Sequence, residues 1–208
     1  MIQYKAQIAI VMIILSGMLG TEGTASNLPI EKADTAIFAS GCFWCTEAIF
    51  QELEGVLEVK SGYTGGHVQN PTYKEVCDET TGHAEAIRII FDPNKISFTE
   101  LLEVFFQTHD PTTLNRQGAD FGTQYRSAIF YLDQNQKKEA EDIVQALGAS
   151  GAWDDPIVTE ISPASTFYVA EDYHQDYFNN NKTAAYCNFV IVPKIEKFKK
   201  VFADKLKK

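Results

Sequence analysis

The chain has 208 residues, 45% of them hydrophobic and 12% aromatic, which is enough for one domain with a real core and excludes a disordered chain. Its formal net charge of −10 gives an acidic surface that repels phosphate backbones, which argues against nucleic acid as a partner. Four cysteines are too few at this length for a disulfide scaffold and read as thiols with individual roles.

Lys5 precedes an apolar run over residues 8–19, and small or polar residues follow at 20–26. This is the pattern of an export signal, with Gly23 and Ala25 suited to the last positions before a cleavage site. The run is shorter than the ~20 residues of a bilayer span, and an uncleaved membrane anchor is the alternative. Residues 1–25 are therefore set apart as a signal peptide or N-terminal anchor, and 26–208 are expected to form a single catalytic domain. The protein is expected to be exported, to the periplasm or outside the cell, and to act as a monomer.

Residues 35–40 (TAIFAS) have strand length and end at Gly41; residues 43–53 then take helical spacing. Residues 56–63 alternate as a half-buried strand, and polar loops rich in turn residues cover 64–72 and 78–82. A second alternating strand spans 84–91 and is stopped by Asp92-Pro93. Ser97-Phe98-Thr99-Glu100 is a capping box opening a helix through Phe106. After a long polar loop at 110–123 come a central-type strand at 127–132, a helix at 134–147, a strand at 157–161 and a short helix at 170–178. Pro193 opens an amphipathic terminal helix. Strands alternating with helices predict a two-layer α/β sandwich with helices packed on a mixed sheet, its long loops carrying function.

Cys42 stands at the junction of a buried strand and a helix. Unpaired N–H groups and the positive end of the helix dipole should lower its pKa from about 8.5 and favour thiolate. The competing reading is a buried structural cysteine. Phe43 and Trp44 follow at once, and at least one of them should form an apolar wall beside the sulfur. Glu85 shares a strand face with Ile87, Ile89 and Phe91. Desolvation there would keep its carboxyl protonated near neutrality, unless it reaches solvent at the sheet edge. Tyr73, Tyr125 and Asp120 lie in or beside the loops, the tyrosines as hydroxyl donors to an oxygen. His174 is read as a histidine packed among helices, because scattered histidines and cysteines do not make a metal site. No phosphate-loop or dinucleotide pattern is present, so no bound cofactor is expected.

A series of motifs in order, GCFW at 41–44, GYTGG at 62–66, NPTYKEVC at 70–77, TGHAEAIRI at 81–89, HDPTTLNRQGAD at 109–120, TQYRSAI at 123–129, AEDYHQDY at 170–177 and YCNFVIVPKIEKF at 186–198, resembles the A-type peptide methionine sulfoxide reductases. The resemblance runs from residue 36 to 200 and implies a two-layer α/β sandwich with a ferredoxin-like core. It implies Cys42 as nucleophile on the sulfoxide sulfur, Phe43 and Trp44 as the methyl pocket, and Glu85 as the acid that protonates the oxygen. Tyr73 and Tyr125 would hydrogen-bond that oxygen, and Asp120 would order the site. It further implies the S epimer, in oxidised proteins, peptides or free methionine sulfoxide, and an external thioredoxin-like dithiol as reductant. Cys187 matches the position of a recycling cysteine in many relatives. Cys45 departs from the glycine usual there and creates a Cys-x-x-Cys that is the alternative resolving pair; no role is assigned to Cys77. Competing activities are general thiol–disulfide exchange through Cys42 and Cys45, and an exported module that binds oxidised segments without turnover.

Overall fold

The computed structural model describes residues 32–208; the expected signal segment lies outside them. The element order begins β1 (Asp34–Ser40), α1 (Phe43–Phe50), β2 (Val56–Thr64), α2 (Tyr73–Cys77), β3 (Ala84–Phe91) and α3 (Phe98–Thr108). It continues with β4 (Arg116–Gln117), β5 (Asp120–Phe121), β6 (Ser127–Tyr131), α4 (Gln134–Ser150), β7 (Glu160–Pro163), β8 (Tyr168–Val169), α5 (Tyr177–Asn180) and α6 (Val192–Val201).

Six strands form one sheet in the order β7-β6-β1-β3-β2-β8. The inner four, with α1 and α3 as crossovers, reproduce the ferredoxin-like βαββαβ arrangement, and β7 joins β6 in parallel to make the sheet mixed. Strand alternation divides β1 between two faces. Ala36 and Phe38 enter the main core with α1 and α3, while Ile37 and Ala39 join Ala84, Ala86, Ala128 and Phe130 in a smaller cluster behind the sheet. Phe38 is fully buried against Phe50, Phe98 and Phe105, with ring centroids 5.1–5.8 Å apart. Every residue of α1 except Trp44 is buried, so this short helix lies inside the domain rather than on it.

The capping box at Ser97 and Glu100 forms as expected, with both reciprocal bonds present. The same signature at Thr72 and Glu75 caps α2, a helix the sequence reading left among the loops. Three further expectations are corrected. The strand placed at 157–161 begins at Glu160, because the Val158 N–H donates to Pro111 O (2.9 Å) instead of to the sheet. The helix placed at 170–178 is broken into a 3-10 turn (Asp172–His174) and α5, since Gln175 leaves helical geometry to bind the edge of β2. The loop at 110–123 contains the small β4–β5 hairpin. Pro193 does sit in the first turn of α6, but a wide π-helical turn (Cys187–Ile191) leads into it.

Candidate active site

Gly41 turns the chain from β1 into α1. Its φ of +91° is costly for a side-chain-bearing residue, and a Cβ there would come within 2.5 Å of Gln117. The turn sets Cys42 at the N-cap of α1, 8% exposed, at one end of a cleft of about 180 Å³. Phe43, Trp44, Tyr73, Glu85, Asp120, Tyr125 and Tyr186 complete its lining. The cleft therefore gathers Cys42, Phe43, Trp44, Tyr73, Glu85, Asp120 and Tyr125, drawn from widely separated parts of the sequence. Neither Cys45 nor Cys187 lines it.

Glu85 projects from β3 opposite Tyr63 of β2 and is 1% exposed. Its Oε2 accepts the Phe43 N–H at 3.0 Å, which ties the carboxyl to the start of α1. Burial, assisted by the negative charges of Asp120 and Cys45, pushes its pKa up to about 8, against the weaker pull of that N–H. At neutral pH the group is a carboxylic acid with a proton to give.

The thiols differ from the expectation of a lowered Cys42. Burial raises Cys42 well above the ordinary thiol range, and Cys45 and Glu85 push the same way. The helix terminus does not offset this, for the Cys42 side chain makes no capping bond to the first turn of α1. Cys45, one turn along α1, shares a hydrogen bond with Cys42. That bond outweighs burial and, helped by Lys194 and Tyr186, draws Cys45 down to about 7. Cys45 thus gives up a proton near neutrality, while Cys42 stays a thiol in the resting site. Cys187 opens the π-helical turn, fully buried; burial, then the nearby Cys45, raise its thiol.

The hydroxyls of Tyr73 and Tyr125 are held protonated: burial raises both first, followed by a hydrogen bond to Cys77 for Tyr73 and by nearby acidic groups for Tyr125. Both are donors. Tyr73 starts α2, where its backbone N–H donates to Glu171 Oε1 (2.9 Å); Tyr125 closes a 3-10 turn (Thr123–Tyr125). Asp120 stands on the β4–β5 hairpin and accepts the Tyr186 hydroxyl at 3.0 Å.

Trp44 is held by three groups from the chain's last quarter. Its Nε1–H donates to His174 Nδ1 (3.1 Å), Tyr177 stacks on it at 3.7 Å and 8°, and Tyr186 meets it edge-on at 5.8 Å. His174 is buried, as a packed histidine should be, with its Nδ1 fixed as an acceptor by the indole. Sequence reasoning did not single out Tyr186, Tyr177 or Glu171. The signals were present: Tyr186 adjoins Cys187, and the other two lie in the AEDYHQDY motif at 170–177.

Fold and cleft together define a cysteine-centred α/β domain in which one thiol and a protonated carboxyl face one small cavity. The peptide methionine sulfoxide reductase family model matches residues 34–206. The chain is 55% identical to the peptide methionine sulfoxide reductase MsrA of Deinococcus radiodurans over 192 residues, 92% of this chain and 93% of the relative. It is 52% identical to that of Saccharolobus solfataricus, over 84% of this chain and 97% of the relative. Among solved structures, Mxr1 from Saccharomyces cerevisiae in reduced form aligns with a TM-score of 0.69 and 35% identity, covering 76% of this chain and 90% of that one. Methionine sulfoxide reductase A of Corynebacterium diphtheriae aligns with a TM-score of 0.66 and 37% identity, over 74% and 77%. The chain belongs to the peptide methionine sulfoxide reductase family.

Proposed function

We propose that this enzyme reduces methionine S-sulfoxide, in oxidised proteins and peptides and as the free amino acid, and so repairs oxidised proteins. One observation carries the reading: the Cys42 sulfur and the protonated Glu85 carboxyl face the same small cleft, walled by Phe43 and Trp44. The apolar wall suits the S-methyl group, and Tyr73 and Tyr125 donate to the sulfoxide oxygen, with Asp120 ordering the site through Tyr186. Cys42, its proton passing to the Cys45 thiolate, attacks sulfur while Glu85 protonates the oxygen, which is a poor leaving group otherwise. Oxygen passes to Cys42: the thiol becomes a sulfenic acid, oxidised by two electrons, and the sulfoxide becomes methionine, reduced by two.

A second thiol then condenses with the sulfenic acid, forming an S–S bond and expelling water. The family resemblance favours Cys187 for this step. What supports Cys45 instead is its place one turn after Cys42 on the same helix, whereas Cys187 is fully buried in a separate turn. We assign the first disulfide to Cys42 and Cys45. A thioredoxin-like dithiol restores both thiols by exchange and leaves as its own disulfide. The apolar segment at 8–19 supports export, or anchoring if it is not cleaved, and N-terminal sequencing of the mature protein distinguishes the two.

The test is incubation with methionine sulfoxide in the absence of reductant. About one methionine per chain should form, with Cys42 joined in a disulfide. Product formation by Cys42→Ser at the wild-type level would overturn the assignment, and a Cys42–Cys187 bond in the first-formed product would overturn the choice of Cys45.

A further inference from the structure

Cys45 is 3% exposed and does not line the cleft, yet in the reaction above it takes the proton of Cys42. That proton must leave again before Cys45 attacks the sulfenic acid, because the thiolate is the nucleophile. Cys42 by then carries a hydroxyl that departs most readily as water, and so needs a proton. The disulfide-forming step therefore requires a route from a buried thiol to an oxygen in the cleft.

One hydroxyl joins the two places. Tyr186 Oη lies 3.8 Å from Cys45 Sγ, within reach of a sulfur hydrogen bond, and donates to Asp120 Oδ2 at 3.0 Å. With its proton given to the carboxylate, the phenol oxygen is left to accept from the Cys45 S–H. Tyr186 and Asp120 are both half-buried, and both line the cleft with Cys42. Burial first, then the charges of Cys42 and Cys45, hold the Tyr186 hydroxyl protonated, so it passes a proton in concert and does not stand as a phenolate. Beside these two, Cys42 on α1, Glu85 on β3, Lys194 on α6 and Cys187 in the π-helical turn act on Cys45 or feel its charge. Lys194 offers only donors, and Glu85 Oε2 already accepts the Phe43 N–H.

We propose that Tyr186 and Asp120 relay the proton of Cys45 to the oxygen leaving Cys42 in the disulfide-forming step. The Cys45 proton moves to the Tyr186 oxygen as the Tyr186 proton moves to the Asp120 carboxylate, which leaves Tyr186 donating to a new thiolate. The thiolate attacks the Cys42 sulfur, the S–O bond breaks, and the proton on Asp120 passes to the departing hydroxide. One S–S bond and one water form, and Asp120 is again a carboxylate. Cys45 is oxidised by one electron as the sulfenic sulfur is reduced by one, so no further oxidant is needed. The proposal rests on the reading of Cys45 as the first resolving thiol.

Tyr186→Phe keeps the ring that meets Trp44 edge-on and removes only the hydroxyl. In a single turnover without reductant, rapid quench follows methionine and the Cys42–Cys45 disulfide separately. At pH 7 the disulfide step should slow by about 100-fold, and a dimedone-type trap should capture the accumulated sulfenic acid. Asp120→Asn should slow the same step, and the double variant should lose no more than Tyr186→Phe alone. The deficit should shrink as pH rises, since hydroxide then removes the Cys45 proton without a relay, whereas a merely structural loss persists at every pH. A disulfide that forms in Tyr186→Phe at the wild-type rate, or a deficit independent of pH, would overturn the relay. The same outcomes in Asp120→Asn serve if Tyr186→Phe does not fold. Forming the sulfenic acid with hydrogen peroxide in place of the sulfoxide tests the relay apart from the reductive step. A Cys42–Cys187 bond as the first product in the wild type is a separate failure, which removes the resolving role of Cys45 and the relay with it.

Discussion

The two walls of the cleft are built by different means. Cys42 and Glu85 stand on α1 and β3, inside the ferredoxin-like core, where strand pairing and helix packing fix them. The other wall, Tyr186 with the groups behind Trp44, comes from the irregular stretch at 170–187, held by side-chain bonds: Gln175 to Ser61, Tyr63 and Tyr73 to Glu171, His174 to Trp44. The groups that transfer atoms in the reductive step thus sit on the rigid frame, and the groups that steady Trp44, the proposed apolar wall, sit on a segment pinned at points. Substitutions in the first region should change the rate of that step, and those in the second should change affinity.

The largest effect is expected at Cys42. Cys42→Ser should form no methionine even with excess reductant, because no other thiol lines the cleft among the described residues. Glu85→Gln should slow the single-turnover reductive step by about 100- to 10,000-fold, the range for loss of a general acid, with substrate binding retained. Rapid-quench measurement of methionine formation separates the two, and a large KM effect with an unchanged rate would erase the contrast between the walls. Cys45→Ser should still give a first methionine but leave Cys42 as a sulfenic acid that a dimedone-type trap captures, so that turnover with a thioredoxin-like protein falls while a small dithiol, which condenses with the sulfenic acid directly, still supports it. Cys187→Ser should spare that first disulfide.

Smaller and structural in origin is Gly41→Ala. A methyl group on a left-handed residue pressed against Gln117 should cost about 2–4 kcal/mol in denaturant unfolding and shift Cys42 in its cleft. A loss under about 0.5 kcal/mol would mean that the strand–helix junction is softer than its geometry implies.

The same contrast decides what the sequence made legible. Alternation in residues 84–91 placed Glu85 on the buried face, and the Gly41-Cys42 junction marked a helix start, because period and turn chemistry act locally. The wrapped segment was read as one helix at 170–178. Its course depends on His174 and Gln175 reaching partners far away in sequence, which no local period records. The thiols failed for a related reason. The dipole argument for Cys42 was local, whereas its raised pKa comes from burial, from Cys45 and from Glu85, which the fold brings to it. Tyr186 was overlooked because one tyrosine among nine carries no signal until Asp120 is seen to accept its hydroxyl.

The central claim is that a neutral Glu85 supplies the proton while the Cys42–Cys45 pair supplies the charge. The pH dependence of the single-turnover reductive step, in wild type and Glu85→Gln side by side, tests it most directly. Glu85 is held protonated up to about pH 8, so the wild-type rate should fall as pH rises through that value. The residual rate of Glu85→Gln should show no such alkaline limb. An alkaline limb at the same pH in both proteins, or equal rates at pH 7, would contradict the account.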